Sequence, residues 1–165
     1  MLVSNDPEKL RKANWLSRQG RDNNFEQVMV GYNYRMPGLN ATLGLAQLDR
    51  IDYFLMKKRS FRFHYFNSLD LVFQQPTRDS NPSWWYTACL FREDAETIQN
   101  RLSALAIPTR RVFEPIPYML PYREHKDYPN ASYLYQHGLC LPCSTLNSLE
   151  DIERVCEGIR GILEK

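Results

Sequence analysis

The chain has 165 residues, 43% hydrophobic and 24% charged, with a formal net charge of +2 and a pI near 8.3. That is about one domain's length with an ordinary globular composition, and the charge is too mild to argue for nucleic acid as a partner. No apolar run approaches the roughly 20 residues of a membrane span, and the opening MLVSNDPEKLRK lacks the charged-then-apolar order of a secretion signal, so the expectation is a cytoplasmic protein with no membrane partner.

Met1 to Val3 read as the end of a strand, and a chain that opens this way reads as if it began in the middle of something. Asp6 is placed to cap a first helix with Pro7 in its first turn, Leu10, Ala13 and Leu16 form its apolar stripe, and Gly20 ends it. The run RDNNFEQVMV, from Arg21 to Val30, reads as a polar loop followed by a short extended piece. After Pro37 one long helix is expected to about Leu69, since neither Gly nor Pro occurs between Leu45 and Leu69. Leu48, Ile51, Leu55, Phe61, Tyr65 and Leu69 recur near helical spacing and predict one buried face. Its middle, MKKRSFRFHYF, interleaves basic residues with aromatics; such a run can hold single-stranded nucleic acid, but on a helix it more commonly separates a solvated face from a buried one. His64 within it reads as a surface or interface residue rather than a ligand.

QQPTRDSNPS, from Gln74 to Ser83, is turn-forming. Trp84 to Phe91 reads as a first strand, Asp94 caps a helix with Ile98, Leu102 and Leu105 on one side, and Ala106 to Phe113 gives a second strand. Pro115, Pro117 and Pro121 are expected to forbid regular structure in the loop EPIPYMLPY. Pro129 opens a short helix ending near Gly138, and Leu139 to Leu141 make a third strand. Ser148 and Asp151 form a capping-box-like start for a last helix with Ile152, Val155, Ile159 and Ile162 inward. The fold class implied is α/β: a long helix plus a three-stranded sheet covered on one face by helices.

Two stretches carry candidate chemistry. The first is GYNYRMPGLNATLGLAQLDRID, from Gly31 to Asp52, which sets an amide, a guanidinium and two phenol rings (Tyr32, Asn33, Tyr34, Arg35) side by side before a helix. That combination suits a phosphate-bearing ligand or a sugar nucleotide, and it also suits a helix-entry turn with a solvated arginine. The second is the pair Cys140 and Cys143. No second pair and no suitably spaced histidines complete a zinc site, so no metal ligand set is assigned. Pro142 within the pair echoes a redox motif, whereas Leu139 and Leu141 flanking Cys140 favour buried, inert thiols.

These stretches, with RRVFEPIPYMLPY and QHGLCLPCSTLNSLEDIERV, resemble in order and spacing the carboxyl-terminal half of the sugar aminotransferases of the DegT/StrS family. The perosamine-synthase-like branch, acting on 4-keto-6-deoxy sugar nucleotides, is nearest in pattern. The resemblance implies the small carboxyl-terminal domain of a fold-type I aminotransferase at residues 39–165, with residues 1–38 a remnant and interface segment of the large domain. It also implies pyridoxal phosphate held as a Schiff base on a lysine, and transfer of an amino group, usually from glutamate, to a keto sugar.

By the same resemblance, Asn33 matches the family asparagine that reaches across a dimer interface to the cofactor phosphate. Tyr34 and Arg35 match neighbours lining the shared site on the substrate side. Arg110 lies beside the loop that approaches the sugar, with a salt bridge as its alternative role. One departure is Pro115-Ile116-Pro117, where many members carry a histidine after the proline. None of Lys9, Lys12, Lys57, Lys58, Lys126 or Lys165 follows the strand and serine-containing turn in which the family presents its lysine, so no catalytic residue is assigned. The expectation is therefore a truncated or excised part of the enzyme, inactive and without bound cofactor on its own, forming a homodimer through the long helix and the Asn33 segment. The alternative is a non-catalytic dimerisation domain left after loss of the lysine-bearing half.

Overall fold

Asp6 starts the first helix of the structure, a computed structural model that describes residues 2–124, 126 and 128–164. Its carboxylate accepts from the backbone amides of Glu8 and Lys9 at 2.9 and 3.2 Å, and Pro7 occupies the first turn of α1, Pro7–Ser17. Ahead of it, Leu2 and Val3 belong to no strand, which corrects that expectation; Met1 lies outside the described residues.

The region expected to be a single helix to Leu69 is two: α2, Gly38–Leu48, and α3, Ile51–Ser68. The amide of Arg50 bonds the carbonyl of Gln47 at 3.1 Å, an i to i−3 contact that winds the end of α2 too tightly for the α-helical ladder to run on. The chain divides at this point into two compact units, Met1–Arg50 and Ile51–Lys165. The expected buried face is correspondingly shorter, with Leu48 and Ile51 exposed, Leu55 half-buried, and Phe61, Tyr65 and Leu69 buried.

Within the second unit the strands β1 (Val72–Phe73), β2 (Thr87–Leu90), β3 (Arg110–Arg111) and β4 (Gly138–Leu141) form one antiparallel sheet in the order β1-β2-β4-β3. The sheet thus carries one short edge strand, Val72–Phe73, beyond the three read from the sequence, and the second expected strand shrinks to Arg110–Arg111. Along β2, Thr87 and Cys89 are buried while Ala88 and Leu90 are half-buried, the two-residue alternation of a strand with one face on a core. All four residues of β4, which is paired on both sides, are buried.

Three helices share the core with the sheet. From α3 come Phe61 and Tyr65; from α4, Ala95–Ala104, come Ile98 and Leu102; from α6, Leu149–Leu163, come Ile152, Val155, Cys156, Ile159 and Ile162. These meet Phe73, Cys89, Leu139 and Leu141 of the strands. Leu105, assigned to the apolar side of α4, is 49% exposed because the helix ends at Ala104 and the chain turns through Ala106 at φ +56°. Between β3 and β4 lie two short 3-10 turns, Ile116–Tyr118 and Leu120–Tyr122, and then α5, Pro129–His137. Against the expectation that its prolines would forbid regular structure, Pro117 and Pro121 stand in the first turns of the 3-10 segments, where a missing N–H costs little, and Pro115 is the N-cap of the first. Ser148 and Asp151 make the reciprocal capping box that starts α6.

Arg62 is the one largely buried charge of α3, 8% exposed. Its guanidinium lies 4.3 Å from the centre of the Trp84 ring and donates to the carbonyl of Gln74 at 2.8 Å. That clasp joins Gln74, where the turn-forming run begins, to Trp84, the residue just after it, which has the unusual φ of +50°.

Candidate functional site

The segment that bears Asn33 is fixed by backbone against backbone. The amide of Tyr32 donates to the Leu16 carbonyl at 2.7 Å, that of Tyr34 to Ser17 at 3.2 Å, and that of Gln19 to the Tyr32 carbonyl at 3.0 Å, straps that tie residues 32–34 to the end of α1. Two glycines make the approach possible. A β-carbon at Gly31 would stand 2.0 Å from the Gly20 nitrogen, and one at Gly20, which has φ +76°, would stand 1.8 Å from the Met29 oxygen.

On this frame Asn33 is exposed, and its side-chain amide has no hydrogen-bond partner among the described residues. With Arg18, Arg21, Arg35 and Phe25 it lines a concavity of about 210 Å³. Three guanidiniums and an amide donor give this concavity a cationic, donor-rich lining. They also offset the negative end of the α1 dipole, which an anion would otherwise meet. Arg18 is steadied by a bond from Nη1 to Asn23 Oδ1 at 3.2 Å. Tyr34 stacks on Tyr32 with centroids 5.1 Å apart at 20°, and together with Arg35 borders a second, wider concavity floored by Leu10 and Leu16 of α1.

Arg110 belongs to the second unit. Its Nη1 donates to the Tyr86 hydroxyl at 2.9 Å, and its guanidinium lies over Tyr86 and Phe113 at 5.6 and 5.3 Å. Of the two roles left open for it, the salt bridge is not formed with any described residue; a ring-supported cation on the rim of a concavity shared with Trp85, Lys58 and Cys143 is what stands there. Ile116, where a histidine was the family pattern, is exposed at the start of a 3-10 turn.

Sequence reading picked Asn33 and Arg35 but missed Arg18 and Arg21, which lie more than ten residues upstream. The signal that could have found them is the glycine pair, Gly20 and Gly31, whose spacing marks a chain folding back on itself. The thiol question resolves toward burial: all four cysteines are free and buried, and the redox alternative fails because β4 ends at Leu141 and the next helix begins only at Leu149. Burial pushes the thiols of Cys89 and Cys140 above their ordinary range and that of Cys156 up to about 11.

Known proteins agree with this frame. Residues 1–160 match the DegT/DnrJ/EryC1/StrS aminotransferase family. The chain is 31% identical over 166 residues to the GDP-perosamine synthase of Escherichia coli O157:H7, covering 96% of this chain and 46% of that protein. It is 29% identical to the putative pyridoxal phosphate-dependent aminotransferase EpsN of Bacillus subtilis, covering 95% and 44%. Among solved structures, the aminotransferase TlmJ from Streptoalloteichus hindustanus superposes with a TM-score of 0.85 at 23% identity, over 97% of this chain and 46% of that one. The pyridoxal phosphate form of the putative sugar aminotransferase Spr1654 from Streptococcus pneumoniae does so at 0.82 and 22%, over 99% and 45%. The chain spans about half the length of the curated relatives it matches. With the family match running over residues 1–160 and the helix-covered antiparallel sheet shared with its solved neighbours, this chain belongs to the DegT/DnrJ/EryC1/StrS aminotransferase family.

Proposed function

We propose that this chain works as the carboxyl-terminal part of a pyridoxal-phosphate-dependent aminotransferase. The whole enzyme moves an amino group from glutamate onto the 4-keto-6-deoxy sugar of a sugar nucleotide, in the cytoplasm. In this reading residues 1–38 belong to the large domain and its interface, and residues 39–165 are the small domain. The observation that carries the reading is the unpartnered Asn33 amide standing among Arg18, Arg21 and Arg35.

The residues present fit the phosphate of such a cofactor. A carboxamide N–H donates to a phosphate oxygen without adding charge, and the positive potential of the guanidiniums lowers the energy of an arriving dianion. When bound, the cofactor supplies an electron sink for the bond changes at the amino carbon. This chain supplies position: Asn33 anchors the phosphate of a partner subunit's cofactor, Tyr34 and Arg35 wall the substrate side, and Arg110 offers a cation toward the sugar nucleotide.

The lysine that carries the cofactor has no counterpart among the described lysines. Lys58 Nζ is spent on the carbonyls of Trp85 and Cys143 at 3.2 and 2.9 Å, and Lys57 Nζ on that of Thr145 at 2.7 Å. Lys9 and Lys12 ride on α1, and Lys126 lies in a loop; Lys165 is outside the described residues. Mixed with pyridoxal phosphate, the purified chain is therefore expected to show neither the visible absorbance of a lysine-bound cofactor nor transamination. A stable protein-bound chromophore that survives gel filtration would overturn this account.

A second reading, a dimerisation domain without catalysis of its own, is favoured by α2. Its Leu39, Leu43, Leu45 and Leu48 are 60–81% exposed, and the helix has no buried residue. A helix so apolar and so uncovered calls for a partner surface, and a homodimer through α2 and the Asn33 segment meets that need. Sedimentation equilibrium at increasing concentration should give the mass of two chains, with Leu43→Lys returning it to one. A wild-type monomer at the highest concentration would remove this reading.

A further inference from the structure

α3 and α6 pack side by side, and on one stretch of their seam three metal-capable side chains converge. His64 comes from α3, and Glu153 and Cys156, one turn apart, come from α6. One donor atom from each lies within 4.8 Å of the other two. The geometry points to a site for a divalent ion of the zinc class, bound by the imidazole of His64, the carboxylate of Glu153 and the thiolate of Cys156.

The donor set selects the ion. Thiolate and imidazole prefer zinc and its neighbours to magnesium or calcium, which want oxygen ligands. Bonds of about 2.0–2.3 Å to a tetrahedral centre set donors roughly 3.3–3.8 Å apart. His64 Nε2 and Glu153 Oε2 now share a hydrogen bond at 2.5 Å, so the ring must draw back by about 1 Å to admit an ion, on the same tetrahedral geometry.

Arg160, one turn beyond Cys156 on α6, prepares the carboxylate. Its Nη2 holds Glu153 Oε1 at 2.5 Å while Nη1 reaches the Ser68 carbonyl at 3.4 Å, leaving Oε2 turned toward His64. This is the outer hydrogen bonding that orients a metal-ligating carboxylate. Access comes from solvent: the His64 and Glu153 side chains are 32% and 39% exposed, whereas Cys156 closes the site from the core side at 0%. On binding, the thiol gives its proton to solvent, water completes the fourth position, and the ion staples α3 to α6.

Titrating the chain with Co2+, a spectroscopic substitute for zinc, should raise a thiolate-to-cobalt charge-transfer band that saturates at one ion per chain and is bleached by equimolar Zn2+. His64→Ala, at a partly exposed position, should weaken binding about tenfold or more. The double variant Cys140→Ser with Cys143→Ser should keep the band. As a readout independent of colour, Zn2+ should raise the melting temperature of the wild-type chain and leave that of His64→Ala unmoved. The proposal is overturned by the absence of a band, by a band indifferent to His64→Ala, or by equal zinc stabilisation of both proteins.

Discussion

Asn33→Ala, made in the complete enzyme, should weaken pyridoxal phosphate binding by about 10- to 150-fold, since a hydrogen bond to a charged group contributes roughly 1.5–3 kcal/mol. The side chain spends nothing on its own fold: it is exposed, it has no partner among the described residues, and the backbone straps from Leu16, Ser17 and Gln19 hold the segment whatever residue 33 carries. The variant should therefore fold normally and lose only the contact. Asn33→Asp makes the test sharper, because it keeps the shape and sets a carboxylate against the phosphate dianion, so its loss should exceed that of alanine. Cofactor titration followed by absorbance, with circular dichroism as the control for folding, reads both. Unchanged affinity in Asn33→Ala would remove Asn33 from the cofactor site, and an Asp variant no worse than Ala would show that no anion sits there.

What was legible in the sequence follows from range. The caps at Asp6, Asp94 and Ser148 with Asp151 need only neighbours within one turn, and each makes its expected hydrogen bonds. The inward face of α6 was legible because Ile152, Val155, Ile159 and Ile162 repeat at helical spacing over a whole helix, and all four are buried. What failed depends on contacts the local sequence does not encode. Val72 and Phe73 become a strand only because Leu90 and Cys89 pair with them across the turn-forming run. The end of α2 carries neither Gly nor Pro, and its break rests on one tightened hydrogen bond at Arg50. In the candidate site, the run Tyr32 to Arg35 announced itself by composition, whereas Arg18 and Arg21 join it only because Gly20 and Gly31 let two backbones touch.

Tyr65→Ala should destabilise the second unit by about 3–5 kcal/mol, the range for truncating a buried aromatic to alanine. Tyr65 is fully buried at the centre of α3's inward face. Its hydroxyl donates to the carbonyl of Pro142 at 2.9 Å, tying α3 to the chain just beyond β4, the strand bonded on both sides. Burial drives the phenol's pKa far above its ordinary range, so it remains a donor throughout the working pH range. Tyr65→Phe keeps the ring and deletes only that bond, at a cost of about 0.5–1.5 kcal/mol. The difference between the two variants then isolates the packing of the ring from the tether of the hydroxyl. Against a domain stability of about 5–15 kcal/mol the alanine variant loses about a fifth or more, visible as a large fall in the urea midpoint. If the two substitutions cost the same, Tyr65 acts through its hydroxyl and the packing of its ring contributes nothing measurable. If Tyr65→Phe is neutral while Tyr65→Ala carries the full loss, Tyr65 holds α3 through the packing of its ring, and the Pro142 bond is incidental.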